Sequence, residues 1–288
     1  MTETNQFAEQ VIADLLHAHT GQSLNSNRRW RIGAALASLS RTHGFSSVEQ
    51  LAVELTRPGK SGLEQKVAEA LLNNETYFFR DRAMFAHLEK KVLPEIAQAN
   101  ARTRRIAIWS AGCSTGQEAL SLAMIFAANP KAWEGWHIDI LGTDVSGPVI
   151  DAARMGRYAH FEVQRGLGVL EMLTHFEQSE QGWRVKSDLL RRVRFERHNL
   201  LDGAPGSGKF DLVLCRNVLL YFEGDTRRRA VNELEKSLAS RGYLMIGAGE
   251  SLLGMASGLV PTAKITGLYN RGSEIARTED SRLSKSPQ

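Results

Sequence analysis

A turn of small residues between a strand-like run and a helical pattern carries the strongest chemical signal in the sequence. The run Arg105-Ile-Ala-Ile-Trp-Ser110 leads into Ala111-Gly-Cys-Ser-Thr-Gly116, and apolar residues with helical spacing follow. Such a turn presents free backbone N–H groups to carboxylate, ribose or phosphate oxygens. The Gly112-x-x-x-Gly116 spacing matches neither the dinucleotide G-x-G-x-x-G motif nor a P-loop. The turn therefore predicts a ligand site, although turns that bind nothing can also carry two glycines.

Polar residues follow three later strand-like runs. Asp144 comes after the second run, where an acid commonly accepts hydrogen bonds from a ribose diol. The alternative is an N-cap for the helix that begins near Ser146. His198-Asn-Leu200 and Cys215-Arg-Asn-Val218 follow the next two runs. Because the carboxyl ends of parallel strands meet at one edge, a nucleoside is the expected ligand, but the spacing does not separate NAD from S-adenosylmethionine.

The elements that must position these groups change in character near residue 105. Before it, apolar residues such as Trp30, Ile32 and Leu36 recur with helical spacing. The helices predicted there are 7–18, 28–42, 47–55, 62–73 and a long one to about 99, with a possible kink at Pro94. After residue 105, strand-like runs alternate with helical patterns, which is typical of a parallel α/β sheet.

The predicted strands after residue 105 are 105–110, 137–143, 193–197, 210–215 and 242–247, with an antiparallel pair at 259–262 and 265–270. The predicted helices are 116–128, 146–155, 160–175 and 225–239. A polar turn between short strands is expected between 176 and 197.

Composition excludes several classes of protein. The net charge of +4 over 288 residues is too small to indicate nucleic-acid binding without a local basic patch. No apolar run approaches the roughly 20 residues that span a bilayer, so we expect no membrane insertion. The first residues lack a signal-peptide pattern. Cys113 and Cys215 are far apart, and the histidines form no metal-spaced cluster. These features predict a cytoplasmic protein without a disulfide or a metal.

Four ordered segments together resemble the CheR family of chemotaxis receptor methyltransferases, which are S-adenosylmethionine-dependent protein-glutamate O-methyltransferases. They are Asn74-Glu-Thr-Tyr-Phe-Phe-Arg-Asp81, Trp109-Ser-Ala-Gly-Cys-Ser-Thr-Gly-Gln-Glu118, Ala152-Ala-Arg-Met-Gly-Arg-Tyr158 and Phe210-Asp-Leu-Val-Leu-Cys-Arg-Asn-Val-Leu-Leu-Tyr-Phe222. The resemblance runs from about residue 10 to residue 270. It implies an α/β fold: a Rossmann-like methyltransferase domain with an inserted small antiparallel β-subdomain, preceded by a small all-α domain.

The resemblance also implies domain boundaries. The helical domain would span 1–73 and serve in receptor recognition, with a linker and connecting helix at 74–100. The methyltransferase domain would span 101–270, with the inserted subdomain at 176–197. The tail 271–288 is rich in Ser, Arg and Glu and is expected to be disordered.

The cofactor residues that the resemblance implies are Asn74, Thr76, Arg80, Gly112, Gln117, Glu118, Asp144, Asn199, Leu200, Asn217 and Val218. Arg80 would pair with the methionyl carboxylate or shape its pocket. Asp144 would take the ribose hydroxyls, Asn199-Leu200 would flank the adenine, and Asn217-Val218 would line the methionyl side. The family usually has two glutamates where this chain has Gln117-Glu118, which leaves open which of the two contacts the cofactor.

The implied reaction transfers a methyl group to a glutamate side chain and leaves S-adenosylhomocysteine. A glutamate is already ionised at neutral pH, so no general base is expected. Arg80 and Tyr221 are candidates for the substrate side, although Tyr221 is equally a candidate core aromatic. The expected partner is the acidic cytoplasmic coiled coil of methyl-accepting receptors. Arg28, Arg29 and Arg31 would bind it, unless they form only a solvated helix face.

Further expectations follow from the same resemblance. The loop Glu177-Gln-Ser-Glu-Gln-Gly182 is short and has one glycine, which predicts independence from a C-terminal receptor pentapeptide. The enzyme is expected to act as a monomer. Three alternatives remain at this point: the same chemistry in a chemosensory-like pathway that controls pili or biofilm, a non-catalytic S-adenosylmethionine-binding adaptor, and an NAD-dependent oxidoreductase. The last lacks G-x-G-x-x-G and an evident proton donor.

Overall fold

The computed structural model describes residues 3–180, 182–206, 208–255, 258–262 and 265–271. Contacts divide the chain into two compact units. The helical unit comprises Met1–Asn74 with Leu220–Arg227, and the sheet unit comprises Glu75–Leu219 with Arg228–Gln288. Most of the predicted tail, 272–288, lies outside the described residues.

The helical unit is built from amphipathic helices around one apolar core. Its helices are α1 (Glu3–Thr20), α2 (Ser26–Arg29), α3 (Arg31–Thr42), α4 (Val48–Leu55) and α5 (Ser61–Leu71). Their buried faces supply the core residues Ile12, Ile32, Leu36, Leu51, Leu55 and Val67. Ser47 starts α4 because its hydroxyl accepts the Gln50 N–H group.

The predicted helix 28–42 is divided at Trp30 into α2 and α3. Trp30, counted in the apolar pattern of this helix, is 77% exposed, whereas Ile32 and Leu36 are buried. The helical spacing therefore identified the buried residues Ile32 and Leu36 correctly. It was wrong for Trp30, whose side chain is exposed to solvent.

The sheet unit alternates strands and helices. Its strands are β1 (Arg105–Ala111), β2 (His137–Asp144), β3 (Arg157–Tyr158), β4 (Phe176–Ser179), β5 (Gly182–Val185), β6 (Val193–Arg197), β7 (Phe210–Cys215), β8 (Leu238–Ile246), β9 (Leu259–Pro261) and β10 (Leu268–Arg271). Its helices are α6 (Arg82–His87), α7 (Leu93–Ala99), α8 (Gln117–Ala128), α9 (Gly147–Met155), α10 (His160–Gln164), α11 (Val169–His175) and α12 (Ser187–Leu190). Helix α13 (Gly224–Ser237) begins in the segment assigned to the helical unit.

Seven strands form the main sheet in the order β6-β2-β1-β7-β8-β10-β9. The first five are parallel, while β10 and β9 close the edge as an antiparallel pair. Parallel strands buried on both faces read as continuous apolar runs, as in Leu212–Cys215, where every residue is buried. The predicted α/β class, with its helical N-terminal region and small antiparallel sheet, is confirmed.

The small antiparallel sheet has the order β3-β5-β4. It includes residues 157 and 158, which lie before the predicted subdomain range of 176–197. Strand β6, inside that range, belongs to the main sheet, where it pairs with β2 from Ile140↔Val193 to Asp144↔Arg197. The small sheet is thus a hairpin joined to a distant two-residue strand.

Four further predicted elements differ from the structure. The helix predicted at 160–175 is two helices, because Gly166 has a φ of +105° and interrupts the helical backbone between α10 and α11. The helix predicted at 225–239 ends at Ser237, and the strand predicted at 242–247 begins earlier, at Leu238. The long helix to Ala99 contains a π-helical turn at Leu88–Val92, and Pro94 falls in the first turn of α7, where its missing N–H costs little.

Among the described residues, none of the helices has the length and apolar character to cross a membrane. The longest, α1, has 18 residues and an amphipathic pattern.

The core of the helical unit can be tested on a single helix. Leu51→Ala removes a fully buried side chain of α4, and we expect the free energy of unfolding to fall by about 2–5 kcal/mol. Val53→Ala, on the same helix at a half-exposed position, should change it by no more than about 0.5 kcal/mol. Urea unfolding followed by circular dichroism measures both. Equal losses would contradict the assignment of α4's buried face.

Candidate functional site

Left-handed backbone shapes the turn between β1 and α8. Gly112 and Gly116 have φ values of +74° and +94°, and Ser114 between them has +50°. The N–H groups of Gly112 and Cys113 both donate to the Thr143 carbonyl, at 2.8 and 2.9 Å. A Cβ atom at Gly112 would lie 2.4 Å from Val218 Cγ2, so only glycine fits there. The turn therefore packs directly against the segment that follows β7.

Asp144 ends β2 and is buried. Its Oδ2 accepts the Ser114 N–H at 3.0 Å, and its Oδ1 accepts the Ser146 N–H at 3.0 Å. Burial raises the pKa of this carboxyl, and the backbone hydrogen bonds oppose the shift. Because Ser146 itself precedes α9, Asp144 is not the N-cap of that helix. It instead ties the glycine turn to the residues that lead into α9.

The residues after β6 contact the backbone of Asp144. The His198 N–H donates to the Asp144 carbonyl at 2.9 Å. Asn199 Oδ1 accepts the Leu201 N–H at 3.0 Å and so starts a short 3-10 turn, in which Leu200 is buried. The ends of β2 and β6 are therefore joined, as expected of neighbouring parallel strands.

Arg216, which follows β7, is the centre of a buried charge network. Its side chain is only 2% exposed, and its NH1 donates to Glu118 Oε2 at 3.0 Å. Its NH2 donates to the Arg80 carbonyl at 2.9 Å and to the Asp81 carboxylate. Glu118 Oε1 accepts the Ser110 hydroxyl at 2.8 Å. One guanidinium thus joins the strand β7, the helix α8 and the segment before α6.

Gln117 and Glu118 have different environments. Gln117 is 1% exposed, and its Oε1 accepts the Thr115 hydroxyl within the turn at 2.8 Å. The side chain of Glu118 is 12% exposed and lies beside Arg216. Of these two residues, Glu118 therefore joins the network of Arg216, whereas Gln117 is held within the turn.

The segment that carries Thr76 and Arg80 is held in an unusual backbone conformation. Phe79 and Asp81, on either side of Arg80, have φ values of +48° and +65°. The Arg80 guanidinium donates to the Glu75 carbonyl at 3.1 Å and lies 5.7 Å from the Tyr77 ring centroid. Both Thr76 and Arg80 are half-buried.

Asn217 is held in a left-handed conformation with a φ of +59°. Its N–H donates to Glu250 Oε2 at 2.9 Å, and the Gly247 N–H donates to the same oxygen at 2.7 Å. Asn217 Oδ1 is buried and has no hydrogen-bond partner among the described residues. A buried acceptor of this kind is expected to meet a donor, which a bound ligand could supply.

Backbone strain is concentrated in these segments. In the described part of the chain, five non-glycine residues have a left-handed φ. One is Arg104, and the other four lie in these segments: Phe79, Asp81, Ser114 and Asn217. Each such residue costs of order 1–3 kcal/mol, which the surrounding contacts must offset, and such strain clusters at ligand sites.

Sequence reasoning missed Arg216 and Glu250. Both lie just beyond the carboxyl end of a parallel strand, β7 and β8 respectively, which is the same signal that identified Asp144. Arg216 lies within the family segment Phe210–Phe222, but the sequence alone gives this cation no partner. Its partner Glu118 is brought close only by the fold.

The remaining candidates belong to the helical unit. The Arg28 guanidinium lies 4.6 Å from the Tyr221 ring centroid, and Arg28, Arg31 and Tyr221 line one pocket. The Tyr221 hydroxyl accepts a hydrogen bond from Asn73 Nδ2 at 2.6 Å, one residue before Asn74. Arg29 instead lies 3.6 Å from Glu9 Oε2. Two of the three predicted arginines are therefore together, and the third is not.

Comparison with known proteins identifies the chain's relatives. Residues 74–265, or 192 of 288, match the family model described as CheR methyltransferase, SAM binding domain, where SAM is S-adenosylmethionine. Chemotaxis protein methyltransferase 1 of Pseudomonas aeruginosa is 37% identical over 236 residues, which cover 81% of this chain and 85% of the relative. Chemotaxis protein methyltransferase Cher2 of Pseudomonas putida is 34% identical over 239 residues, covering 82% and 86%.

Solved structures of methyltransferases resemble the chain more weakly. A TehB-like SAM-dependent methyltransferase from Corynebacterium glutamicum aligns with a TM-score of 0.36 and 18% identity, over 66% of this chain and 93% of that one. The assignment therefore rests on the family model and the sequence relatives. On these grounds the chain belongs to the CheR family of chemotaxis protein methyltransferases, and its cofactor is S-adenosylmethionine.

Proposed function

We propose that the chain transfers the methyl group of S-adenosylmethionine to glutamate side chains of methyl-accepting chemotaxis receptors, forming methyl esters. The observation that carries the proposal is the match of residues 74–265 to the family's SAM-binding domain. The strand-end residues Arg216, Glu118 and Asp144 fall within that range. Relatives named chemotaxis protein methyltransferases support receptors as the substrate.

The donors and acceptors at the strand ends fit this cofactor. Asn217 Oδ1, which has no hydrogen-bond partner among the residues described, suits a donor on the methionyl side, and Asp144 suits the ribose hydroxyls. We assign the acidic contact to Glu118 rather than to Gln117, because Gln117 is buried within the turn. The other residues proposed to hold the cofactor are Asn74, Thr76, Arg80, Gly112, Asn199, Leu200 and Val218.

The chemistry of the site suits a nucleophile that is already ionised. The bound cofactor supplies a methyl group on a cationic sulfonium. The carboxylates of Asp144, Glu118 and Glu250 are each engaged as hydrogen-bond acceptors, so none is assigned as a base. A receptor glutamate needs no base at neutral pH. The protein's task is then alignment and dehydration of the carboxylate, for which Arg80 is the proposed cation on the substrate side.

The helical unit is the proposed receptor-binding region. Arg28 and Arg31, which line one pocket with Tyr221, would face the acidic coiled coil. Arg29 is assigned a smaller part, because Glu9 already lies beside it. Independence from a receptor pentapeptide remains a prediction, which calorimetry with such a peptide tests.

Labelled methyl transfer to receptor-bearing membranes, scored as base-labile methanol, tests the proposed function. The wild type should transfer label, and Asp144→Ala should abolish most of the transfer because the ribose loses its acceptor. Asp139→Ala is a matched control on the same strand, since Asp139 pairs with Arg194 at a partly exposed position. Transfer that is unchanged in Asp144→Ala would contradict the assigned pocket.

The raised pKa of Asp144 predicts a pH dependence of cofactor binding. Ribose hydroxyls donate to the ionised carboxylate, so protonation weakens binding. Because burial raises this pKa, affinity for S-adenosylhomocysteine should begin to fall at a higher pH than an ordinary aspartate would give. Calorimetry from neutral pH downward measures the effect. Asp144→Asn should bind more weakly and lose this dependence; an unchanged profile would exclude Asp144 as its source.

Charge reversal tests receptor recognition separately from cofactor binding. Arg28→Glu combined with Arg31→Glu should raise the KM for receptor by about tenfold or more, because each exposed ion pair contributes up to about 1 kcal/mol. Affinity for S-adenosylhomocysteine should stay unchanged. Arg41→Glu, at the exposed far end of α3, is the control. Loss of both properties in the double variant would indicate misfolding and would contradict a recognition role.

A further inference from the structure

We propose that Arg82, Arg165 and Glu171 are positioning residues for the cofactor-binding segment 75–81, which they hold against the region of α10 and α11. The inference rests on the proposed function, because Arg80 is assigned to the cofactor there. The three residues lie outside the network of Arg216 and have no assigned role in the reaction.

The backbone of the segment is seated against the loop between α10 and α11. A Cβ atom at Gly166 would lie 1.9 Å from the Phe78 carbonyl oxygen, so the two backbones approach as closely as glycine allows. Phe78 is fully buried, and its ring meets Tyr158 of β3 and Phe176 of β4 edge-on at 5.1 and 5.4 Å. The small sheet therefore supplies one wall of the segment.

Arg82 and Glu171 form a bidentate ion pair next to these contacts. The two guanidinium NH groups donate to the two carboxylate oxygens at 3.0 and 2.8 Å. The same guanidinium donates to the Gly166 carbonyl and lies 4.7 Å from the Phe79 ring centroid. Burial acts to raise the pKa of Glu171, but the hydrogen bonds from Arg82 and the Gly168 N–H lower it overall. A bidentate pair of this kind fixes orientation as well as distance.

Arg165 contacts the other end of the segment, at two residues that Arg80 also contacts. Its NH2 lies 2.9 Å from Glu75 Oε1, and its guanidinium lies 4.2 Å from the Tyr77 ring centroid. Arg80 contacts the same two residues, through the Glu75 carbonyl and the Tyr77 ring. Arg165 therefore contacts the two residues that also contact the Arg80 guanidinium, through the Glu75 carboxylate and the Tyr77 ring.

Helix α8 and Arg216, which follows β7, also hold the segment. The Phe79 N–H donates to the Ser121 hydroxyl of α8 at 2.9 Å, and the Arg80 carbonyl accepts from Arg216. Left-handed φ values at Phe79 and Asp81 require such contacts on both sides, because strained backbone persists only where its surroundings hold it. Loss of the contacts of Arg82, Arg165 and Glu171 should therefore leave the Arg80 side chain less well oriented. The hydrogen bonds of Arg216 should stay in place.

The test is the affinity for S-adenosylhomocysteine, measured by calorimetry. Arg165→Gln and Arg82→Gln should each weaken binding by about two- to fivefold, because an exposed ion pair contributes up to about 1 kcal/mol. Arg194→Gln is the matched control. Its side chain is 57% exposed against 53% for Arg165 and 55% for Arg82, and it pairs with Asp139 in the main sheet. Its affinity should equal that of the wild type.

A charge exchange separates positioning from general destabilisation. Glu75→Arg combined with Arg165→Glu restores an ion pair of opposite polarity, and it should recover most of the affinity that Arg165→Glu alone loses. Melting temperatures of all variants should remain within a few degrees of the wild type, as expected for surface substitutions in a chain of this size.

Three results would overturn the inference: single variants that bind as tightly as the wild type, a charge exchange without recovery, or losses of affinity that simply follow losses of melting temperature. A wild-type protein that does not bind S-adenosylhomocysteine would instead contradict the cofactor site itself. The two failures are therefore distinguishable in one set of measurements.

Discussion

The buried guanidinium of Arg216 is the contact on which the strand-end site depends. It lies just beyond β7 and is bonded to Glu118 on α8, to the Asp81 carboxylate and to the Arg80 carbonyl. A charge with a side-chain exposure of 2% is stable only if it is paired and hydrogen-bonded. The energetic requirement of one side chain therefore brings the segment before α6 to the ends of the parallel strands.

Around this cation, the site is an arrangement of acceptors with their donors already in place. Asp144 accepts two backbone N–H groups, Glu250 accepts two more, and Glu118 accepts from Arg216 and Ser110. Such pre-formed groups cost little reorganisation when a ligand binds. The exception is Asn217 Oδ1, a buried acceptor that has no hydrogen-bond partner within the part of the chain that the structure describes. This pattern fits a protein that orients a reactive cofactor and an ionised substrate and leaves proton transfer out of the reaction.

The main-sheet strands and most helices could be predicted because apolar period and glycine turns are local properties of the sequence. The glycine turn and Asp144 were found for the same reason. The break at Gly166 was missed because its cause is not local: the glycine faces the Phe78 carbonyl, far away in sequence. Likewise, β3 has two residues and no period of its own, and Trp30 fits a helical pattern although its side chain faces solvent. The partners of Arg216 and Asn217 depend on tertiary contacts, so their roles could not be read from spacing.

The proposed methyl acceptor is a glutamate carboxylate. The most direct measurement is peptide mass spectrometry of receptor incubated with the protein and S-adenosylmethionine carrying a deuterated methyl group. We expect the labelled methyl on glutamate side chains of the receptor's coiled coil, and its loss after mild alkali, which cleaves esters. Label on lysine, arginine or cysteine, or label that resists alkali, would contradict it.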